Sequence, residues 1–237
     1  MFSKLFSAFL TALFLLPVSL VAAAEENLPD PRQVFNWSRQ ERFLGFKSVE
    51  KIAPTHEVAA GGQVRGLQAA VSPRGRKISA DLGPLTDKLM ATGDVVGVLV
   101  IHDNEILAER YAHGFGPAYR WTSFSVAKSI SGTLAGAAVR DGLLKLDDQV
   151  TLYVPELKGS AYEGVTVRHL LTMTSGVEWN ETYTDSSSDT ARLALGFGSA
   201  DPLADLDALP REAEPGRLFA NKTGESKLLG PVVMRVV

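Results

Sequence analysis

The amino-acid sequence predicts an α/β fold, of the α+β kind, in which helices accompany an antiparallel sheet. Apolar residues recur at helical spacing between residues 78 and 92, and two strand-like runs at 94–101 and 105–111 flank a short turn. Residues 126–143 then read as a long helix. A helix and a hairpin followed by further helices indicate an α/β domain with an antiparallel sheet.

Residues 1–24 are predicted to be a secretory signal peptide. Lys4 precedes an apolar stretch that ends in three alanines at 22–24, which is the pattern of a cleavable leader. The alternative is a membrane anchor that is never cut, but Pro17 interrupts the apolar run, so we favour cleavage and a periplasmic or secreted protein. No other run approaches ~20 apolar residues, so no membrane span is expected once the leader is removed.

Residues 25–78 are expected to form an N-terminal arm on the domain surface, with little regular structure. Several prolines and the pair Gly61-Gly62 punctuate this segment, and both residue types interrupt helices and strands. Residues 79–237 are expected to form the folded domain.

The hairpin is predicted from two strand-like runs and the turn residues between them. The run at 94–101 reads as a buried strand, and His102, Asp103 and Asn104 have the chemistry of a turn. The run at 105–111 is then the second strand of the hairpin.

The long helix at 126–143 is defined by its apolar positions and its end. It can bury Ile130, Leu134 and Ala138 on one face, and Gly142 marks its C-terminus. Shorter helices are expected at 165–173, before Gly176, and near 190–195.

The composition excludes several classes of function. The chain has 237 residues, with 24 Lys and Arg against 27 Asp and Glu, and no cysteine. Without a block of basic residues, no nucleic-acid partner is expected. Without cysteine, no disulfide, thiol nucleophile or thiolate metal site can form. The four histidines lack metal-ligand spacing, so no metal or other cofactor is expected, and His169 is expected to be a structural hydrogen-bonding group.

Ser125 and Lys128 are the candidate catalytic residues. They lie three positions apart where the long helix begins, so their side chains share a face and the amine can take the proton of the hydroxyl. The partial positive charge of a helix N-terminus favours an alkoxide on the serine and disfavours the ammonium form of the lysine. The backbone N–H of Ser125 points to where an oxyanion would develop.

The same spacing also has a structural explanation. Ser48 and Lys51 repeat it in the arm, with Pro54 close behind and no predicted helix. By that reading, Ser125 is a helix N-cap and Lys128 is a solvated side chain one turn later. Spacing alone gives the two readings similar weight.

The surrounding motifs favour the catalytic reading. They are RWTSFSVAKS at 120–129, DGLLKLDD at 141–148, VPEL at 154–157 and TVRHLLTMTSG at 166–176. In this order they resemble the serine β-lactamase-like superfamily, in its class C β-lactamase and esterase branch, and most of all its 6-aminohexanoate-dimer hydrolase relatives. The resemblance covers about residues 80–230. It implies a β-lactamase/transpeptidase-like fold, Ser125 as the acylated nucleophile and Lys128 as its general base.

Asn221 is a departure from the pattern of this family. Relatives carry a Tyr in a Tyr-x-Asn or Tyr-Asn-Thr-Gly stretch just after a Pro-Gly turn, and Asn221 stands in its place after Pro215-Gly216. A phenol can help to pass a proton to the leaving group, whereas an amide cannot near neutral pH. Weak or absent activity is expected from this substitution.

Two short motifs imitate other family elements. Lys222-Thr223-Gly224 spells the Lys-Thr-Gly triad, but no strand-like run precedes it, so we do not place it on a core strand. Ser188-Asp189-Thr190 imitates Ser-Asp-Asn and is better interpreted as a loop that caps a helix.

The resemblance also implies further sequence in relatives beyond the position of Val237. There they add helices and the sheet strands that carry Lys-Thr-Gly or His-x-Gly. An incomplete sheet and a partial, C-terminally truncated domain over 79–237 are therefore expected here. A frameshift, a partial gene model and a natural terminus are all open explanations.

Tyr183 is a candidate substrate-binding residue by the same resemblance. It falls where the 6-aminohexanoate-dimer hydrolases place a Tyr on a loop over the substrate. A surface aromatic that anchors the loop is an equally good interpretation. Asn221, in the position of the family Tyr, is the other candidate for substrate contact.

Two functional hypotheses follow. The first is an exported serine hydrolase that acts on a small ester or amide through an acyl-enzyme on Ser125, with Lys128 as base. The second is a catalytically inactive truncated homologue, either a fragment or a remnant that binds cell wall or protein. Asn221 and the expected incomplete sheet motivate the second hypothesis, so the sequence leaves enzymatic activity open.

Overall fold

The computed structural model describes residues 27–59, 61–63, 66–195 and 201–237. The predicted signal peptide at 1–24 lies outside these residues. Within the described ranges, every helix is too short or too polar to cross a membrane.

The N-terminal arm contains more regular structure than the sequence predicted. A 3-10 helix at Pro31–Asn36 precedes α1 (Arg39–Phe46) and α2 (Val49–Ile52). The reason for α1 is a capping box, in which Glu41 N–H donates to Ser38 Oγ and Ser38 N–H donates to the Glu41 carboxylate. Helix α2 directly follows Ser48, where no helix was predicted, and is a single turn.

The sheet has three strands, β1 (Gln68–Ala69), β2 (Gly97–His102) and β3 (Glu105–Tyr111), in the order β1-β3-β2. The predicted hairpin of β2 and β3 is confirmed as an antiparallel pair. The sheet is mixed rather than wholly antiparallel, because β1 pairs with β3 in parallel. The Glu105 carboxylate accepts hydrogen bonds from Ser72 N–H and Ser72 Oγ, both at 2.9 Å, and so holds the chain after β1 against β3.

The hairpin turn has two residues rather than three. His102 still pairs with Glu105 as the last residue of β2. Asp103 and Asn104 have φ of +50° and +64°, which is the left-handed backbone of a type I′ turn that matches the twist of a hairpin. The strand was predicted to be buried, yet Leu99 is 50% exposed, because α3 packs mainly on β3 and covers little of β2.

The predicted helices are present with shifted ends. The helix expected at 78–92 is α3 (Pro73–Met90). It starts earlier because Ser72 Oγ caps Gly75 N–H at 2.9 Å and Pro73 suits a first helical position. The helix expected at 126–143 is α4 (Ala127–Arg140), and Gly142 follows it with φ of +75°.

The remaining helices are short, apart from the last. They are α5 (Val150–Tyr153), α6 (Val167–Leu171), α7 (Asp189–Leu195), α8 (Pro202–Asp207) and α9 (Thr223–Met234). As expected, Ser188 caps α7, since its Oγ accepts from Ala191 N–H at 3.1 Å. His169 has the expected structural role, because its Nδ1 accepts from Thr166 N–H at 3.2 Å.

The hydrophobic core lies among the helices, where α9 packs on α4 and α6. Leu228 and Val232 of α9 and Ala135 of α4 are fully buried. The prediction that Ile130 and Leu134 face the core is wrong, since they are 63% and 54% exposed. Helix α4 instead turns its small residues toward α9, which allows the two backbones to approach closely. This packing brings the first turns of α4 and α9 together.

Candidate active site

Ser125 lies on a strained turn immediately before α4. It is the middle residue of a single 3-10 turn, Phe124–Val126, that runs directly into the helix. Phe124 has φ of +41°, a left-handed backbone that costs a non-glycine residue ~1–3 kcal/mol. The Phe124 ring contacts the Phe46 ring edge-on with centroids 5.0 Å apart, which holds the turn against α1. Such strain is typical of positions where a backbone presents a functional side chain.

An open cleft of about 720 Å³ lies over this turn. Ser125 and Lys128 both line it, so the structure brings the two predicted catalytic residues to one surface. The arm supplies part of its wall, through Phe35 and Phe46, and α9 supplies another part. The complete lining is Val34, Phe35, Arg42, Phe46, Phe124, Ser125, Ala127, Lys128, Ser131, Tyr183, Thr190, Thr223, Ser226, Lys227 and Gly230.

Lys128 is held by α9. Its Nζ donates a hydrogen bond of 2.9 Å to Thr223 Oγ1. In the part of the chain that the structure describes, Ser125 Oγ and Lys128 Nζ share no direct hydrogen bond. Hydrogen bonds between catalytic groups often tighten only when substrate is bound. In this structure Lys128 is bound to Thr223, and Ser125 faces the cleft.

Glu181 accepts hydrogen bonds from three side chains around the site. Its Oε1 accepts from Thr223 Oγ1 at 2.5 Å and from Tyr183 OH at 2.7 Å. Its Oε2 accepts from the Thr223 backbone N–H at 2.9 Å and from the Trp179 indole. The carboxylate therefore connects the loop that carries Tyr183 to the start of α9 and, through Thr223, to Lys128.

The charge of Glu181 is stabilised by these contacts. Burial acts to raise its pKa, but the hydrogen bonds from Thr223, Tyr183 and Trp179 outweigh burial and hold the pKa below its usual value. Glu181 is consequently a carboxylate at neutral pH. The hydrogen bond to Glu181 raises the pKa of Tyr183, so that phenol stays protonated.

The two candidate substrate-contacting residues have different positions. Tyr183 lies at the rim of the cleft, 42% exposed, with its ring 4.8 Å from that of Phe35 in an edge-on contact. Asn221 is exposed on the segment before α9 and is not one of the residues that line the cleft. The structure thus brings Ser125, Lys128 and Tyr183 to one cleft, and Asn221 lies beside it.

Sequence reasoning missed Glu181 and Thr223. Thr223 follows Asn221 by two positions, so it occupies the Asn position of the Tyr-x-Asn stretch. This alignment with the family motif could have marked Thr223 as a site residue. Glu181 precedes Tyr183 by two positions, and nothing in its local pattern marks it.

A buried polar layer lies beneath the cleft at the start of α9. Lys222 is 2% exposed, and its ammonium donates to the Val177 carbonyl oxygen. Glu225 is 1% exposed and accepts from Ser175 Oγ, and its second carboxyl oxygen has no hydrogen-bond partner among the described residues. The motif at 222–224 lies where α9 begins, so the prediction that it is not on a core strand is confirmed.

The family model described as Beta-lactamase matches residues 82–236. The chain belongs to this family. The match confirms the resemblance to serine β-lactamase-like hydrolases and, with the similar solved structures, the predicted α/β fold.

Three known proteins are similar to this chain in sequence or in fold. The chain is 43% identical to the 6-aminohexanoate-dimer hydrolase of Paenarthrobacter ureafaciens over 91 residues, which is 38% of this chain and 23% of that protein. A Bacillus anthracis structure assigned as a 6-aminohexanoate-dimer hydrolase superposes with a TM-score of 0.56 at 20% identity, over 64% of this chain and 42% of that one. EstCE1, a hydrolase with promiscuous acyltransferase activity, gives a TM-score of 0.53 at 20% identity, over 70% and 48%. The chain therefore spans less than half of each of these proteins.

Proposed function

We propose that this member of the Beta-lactamase family is an exported serine hydrolase that cleaves a small ester or amide through an acyl-enzyme on Ser125. One observation carries the proposal: Ser125 and Lys128 line the same cleft, and Lys128 is anchored there by Thr223. Export rests on the signal peptide predicted at 1–24, which gives a periplasmic or secreted location.

The proposed reaction has two steps. In the first, the neutral amine of Lys128 takes the Ser125 proton while Oγ bonds to the acyl carbon, and the bond to the leaving group breaks as the Lys128 ammonium returns that proton to it. In the second, water attacks the acyl-enzyme, which releases the acid and restores Ser125. The backbone N–H of Ser125, before α4, is one donor to the oxyanion that forms in each step.

The cleft indicates the kind of substrate. Aromatic rings of Phe35, Phe46, Phe124 and Tyr183 line much of it, and such walls suit a small ester or amide with an apolar acyl group. The match to 6-aminohexanoate-dimer hydrolase favours an ester or a linear amide over a β-lactam.

Turnover of short-chain aryl esters tests this function. The wild-type chain is expected to release the alcohol above the buffer rate. Ser125→Ala should lower turnover by at least ~100-fold, since it removes the nucleophile. Ser129→Ala is the matched control, because Ser129 is exposed on the same helix and does not line the cleft. Equal turnover by the wild type and Ser125→Ala would contradict the proposal.

A second candidate function is an inactive homologue that binds cell wall or another protein. The position of Asn221 favours it, because the family Tyr is replaced by an amide that lies outside the cleft lining. In this case a folded wild-type chain shows no turnover above buffer for esters, linear amides or β-lactams. Retention on peptidoglycan by that same folded chain would then support the binding role.

A further inference from the structure

The Thr223 hydroxyl has a single proton, and its neighbours decide where that proton lies. A hydroxyl offers one donor and two lone pairs. Glu181 Oε1, at 2.5 Å from Thr223 Oγ1, is a carboxylate oxygen that can only accept. The Thr223 proton therefore points to Glu181. The lone pairs that remain accept from Lys128 Nζ, at 2.9 Å.

This polarity matters for a general base. A neutral lysine amine has two protons and one lone pair, and that lone pair must receive the Ser125 proton. A hydroxyl beside the amine that was free to turn could donate into the lone pair and block it. Because Glu181 holds the proton of Thr223, Thr223 can only accept an N–H from Lys128.

We infer that Glu181, acting through Thr223, is a positioning residue that keeps the lone pair of the Lys128 amine free to take the Ser125 proton. The inference rests on the proposed function, since it assigns this role at the same nucleophile. Both partners are fixed by other contacts. The backbone N–H of Thr223 donates to Glu181 Oε2 at 2.9 Å, and the Trp179 indole donates to the same oxygen.

The contacts of Glu181 also predict how a glutamine would sit in its place. The Oε2 position receives two N–H groups, which can donate a hydrogen bond but cannot accept one. The oxygen of the glutamine amide must therefore take that position. The amide nitrogen then replaces Oε1 and donates to Thr223 Oγ1. The Thr223 proton loses its acceptor and can turn toward the Lys128 amine, which is the orientation that Glu181 prevents.

The rate at which a fluorophosphonate labels Ser125 tests this role in the full chain. Thr223→Val keeps the shape of the side chain and removes the oxygen that accepts an N–H from Lys128. The amine then loses its orientation, so labelling should slow at least tenfold, a part of the ~10²–10⁴ that general bases contribute. Thr223→Ser should restore the rate to within about threefold of wild type. Glu181→Gln should slow labelling about tenfold. Glu178→Gln, an exposed neighbour with the same change of charge, should leave the rate unchanged.

A thermal melt of each variant shows whether it is folded at the assay temperature. Labelling rates are compared only among the folded variants, so a slower rate reflects chemistry and not unfolding. If Thr223→Val is unfolded, the labelling rates of Thr223→Ser and Glu181→Gln still test the inference when they are compared with each other. Labelling of Thr223→Val and Glu181→Gln at the wild-type rate would overturn it while leaving the proposed function intact. Faster labelling of Thr223→Val would also overturn it, since Thr223 would then restrain Lys128. An unlabelled but folded wild type would overturn the proposed function itself.

Discussion

Glu225 is a buried carboxylic acid in the first turn of α9. Burial raises its pKa to about 7, although Ser175 and Lys222 act in the opposite direction. In the unfolded chain the same group titrates near 4.5. Below about pH 4.5 Glu225 is protonated in both the folded and the unfolded chain. Between about pH 4.5 and pH 7 it is ionised mainly in the unfolded chain. The free energy of unfolding should therefore fall as pH rises from about 4.5 to about 7, and stay low above.

Glu225→Gln should remove this pH dependence. The glutamine oxygen can still accept from Ser175, and the side chain cannot ionise. Relative to wild type, the variant should gain roughly 2–3 kcal/mol in its free energy of unfolding between pH 5 and pH 8. Urea denaturation at the two pH values measures this gain. An equal pH dependence in wild type and variant would show that Glu225 titrates normally, and exposed Glu178→Gln should show no gain.

At the residue scale, the sequence could predict the chemistry of the site but only part of its geometry. Ser125 and Lys128 are three positions apart, and local helix geometry suffices to bring them to one surface. Thr223 is 95 positions from Lys128 and 42 from Glu181. Contacts at such separations depend on how the helices pack, and no local pattern encodes them.

Gly176 determines how the loop after α6 turns into the site. Its φ is +74°, and a Cβ there would overlap the carbonyl oxygen of Ala213. The Gly176 carbonyl oxygen accepts from Glu212 N–H at 2.8 Å and from Ala213 N–H at 3.0 Å. Two separate costs, backbone strain and a steric clash, therefore oppose any side chain at this position.

Gly176→Ala is expected to lower the free energy of unfolding by about 3–5 kcal/mol, which is the range of severe substitutions. Gly142→Ala is the matched control. Gly142 has nearly the same φ, +75°, and open space around its Cβ position, so only the strain of about 1–2 kcal/mol should apply. Urea denaturation of both variants measures the difference. Equal losses would show that the contact with Ala213 relaxes without cost.

At the element scale, strongly periodic segments were predicted and tertiary pairing was not. Helix α4 and the β2–β3 hairpin follow from apolar spacing and turn residues. Strand β1 has only two residues, Gln68–Ala69, and it exists because Glu105 binds Ser72 from the neighbouring strand. Because β1 depends on the side chain of a residue in β3, its own sequence contains no pattern that predicts a strand.

The whole molecule is organised by its helical layer. The core among α4, α6 and α9 is one continuous cluster of buried hydrophobic residues, whereas α4 turns Ile130 and Leu134 outward. The sequence predicted that these two large side chains are buried, because large apolar residues are normally buried. The choice between the faces depends on α9, which packs against small residues of α4, and helix periodicity alone does not specify the partner.

One property of the whole chain is central to this account: the folded protein must activate Ser125 although Asn221 stands in the place of the family Tyr. Strain at Phe124, the start of α4 and the anchored Lys128 are the features that support activation.

The intact mass of the folded chain after incubation with a fluorophosphonate tests this claim most directly. The account predicts one adduct per chain for the wild type and for Ser129→Ala, and none for Ser125→Ala. A folded wild type with no adduct, or an adduct that persists in Ser125→Ala, would contradict the assignment of Ser125 as the nucleophile.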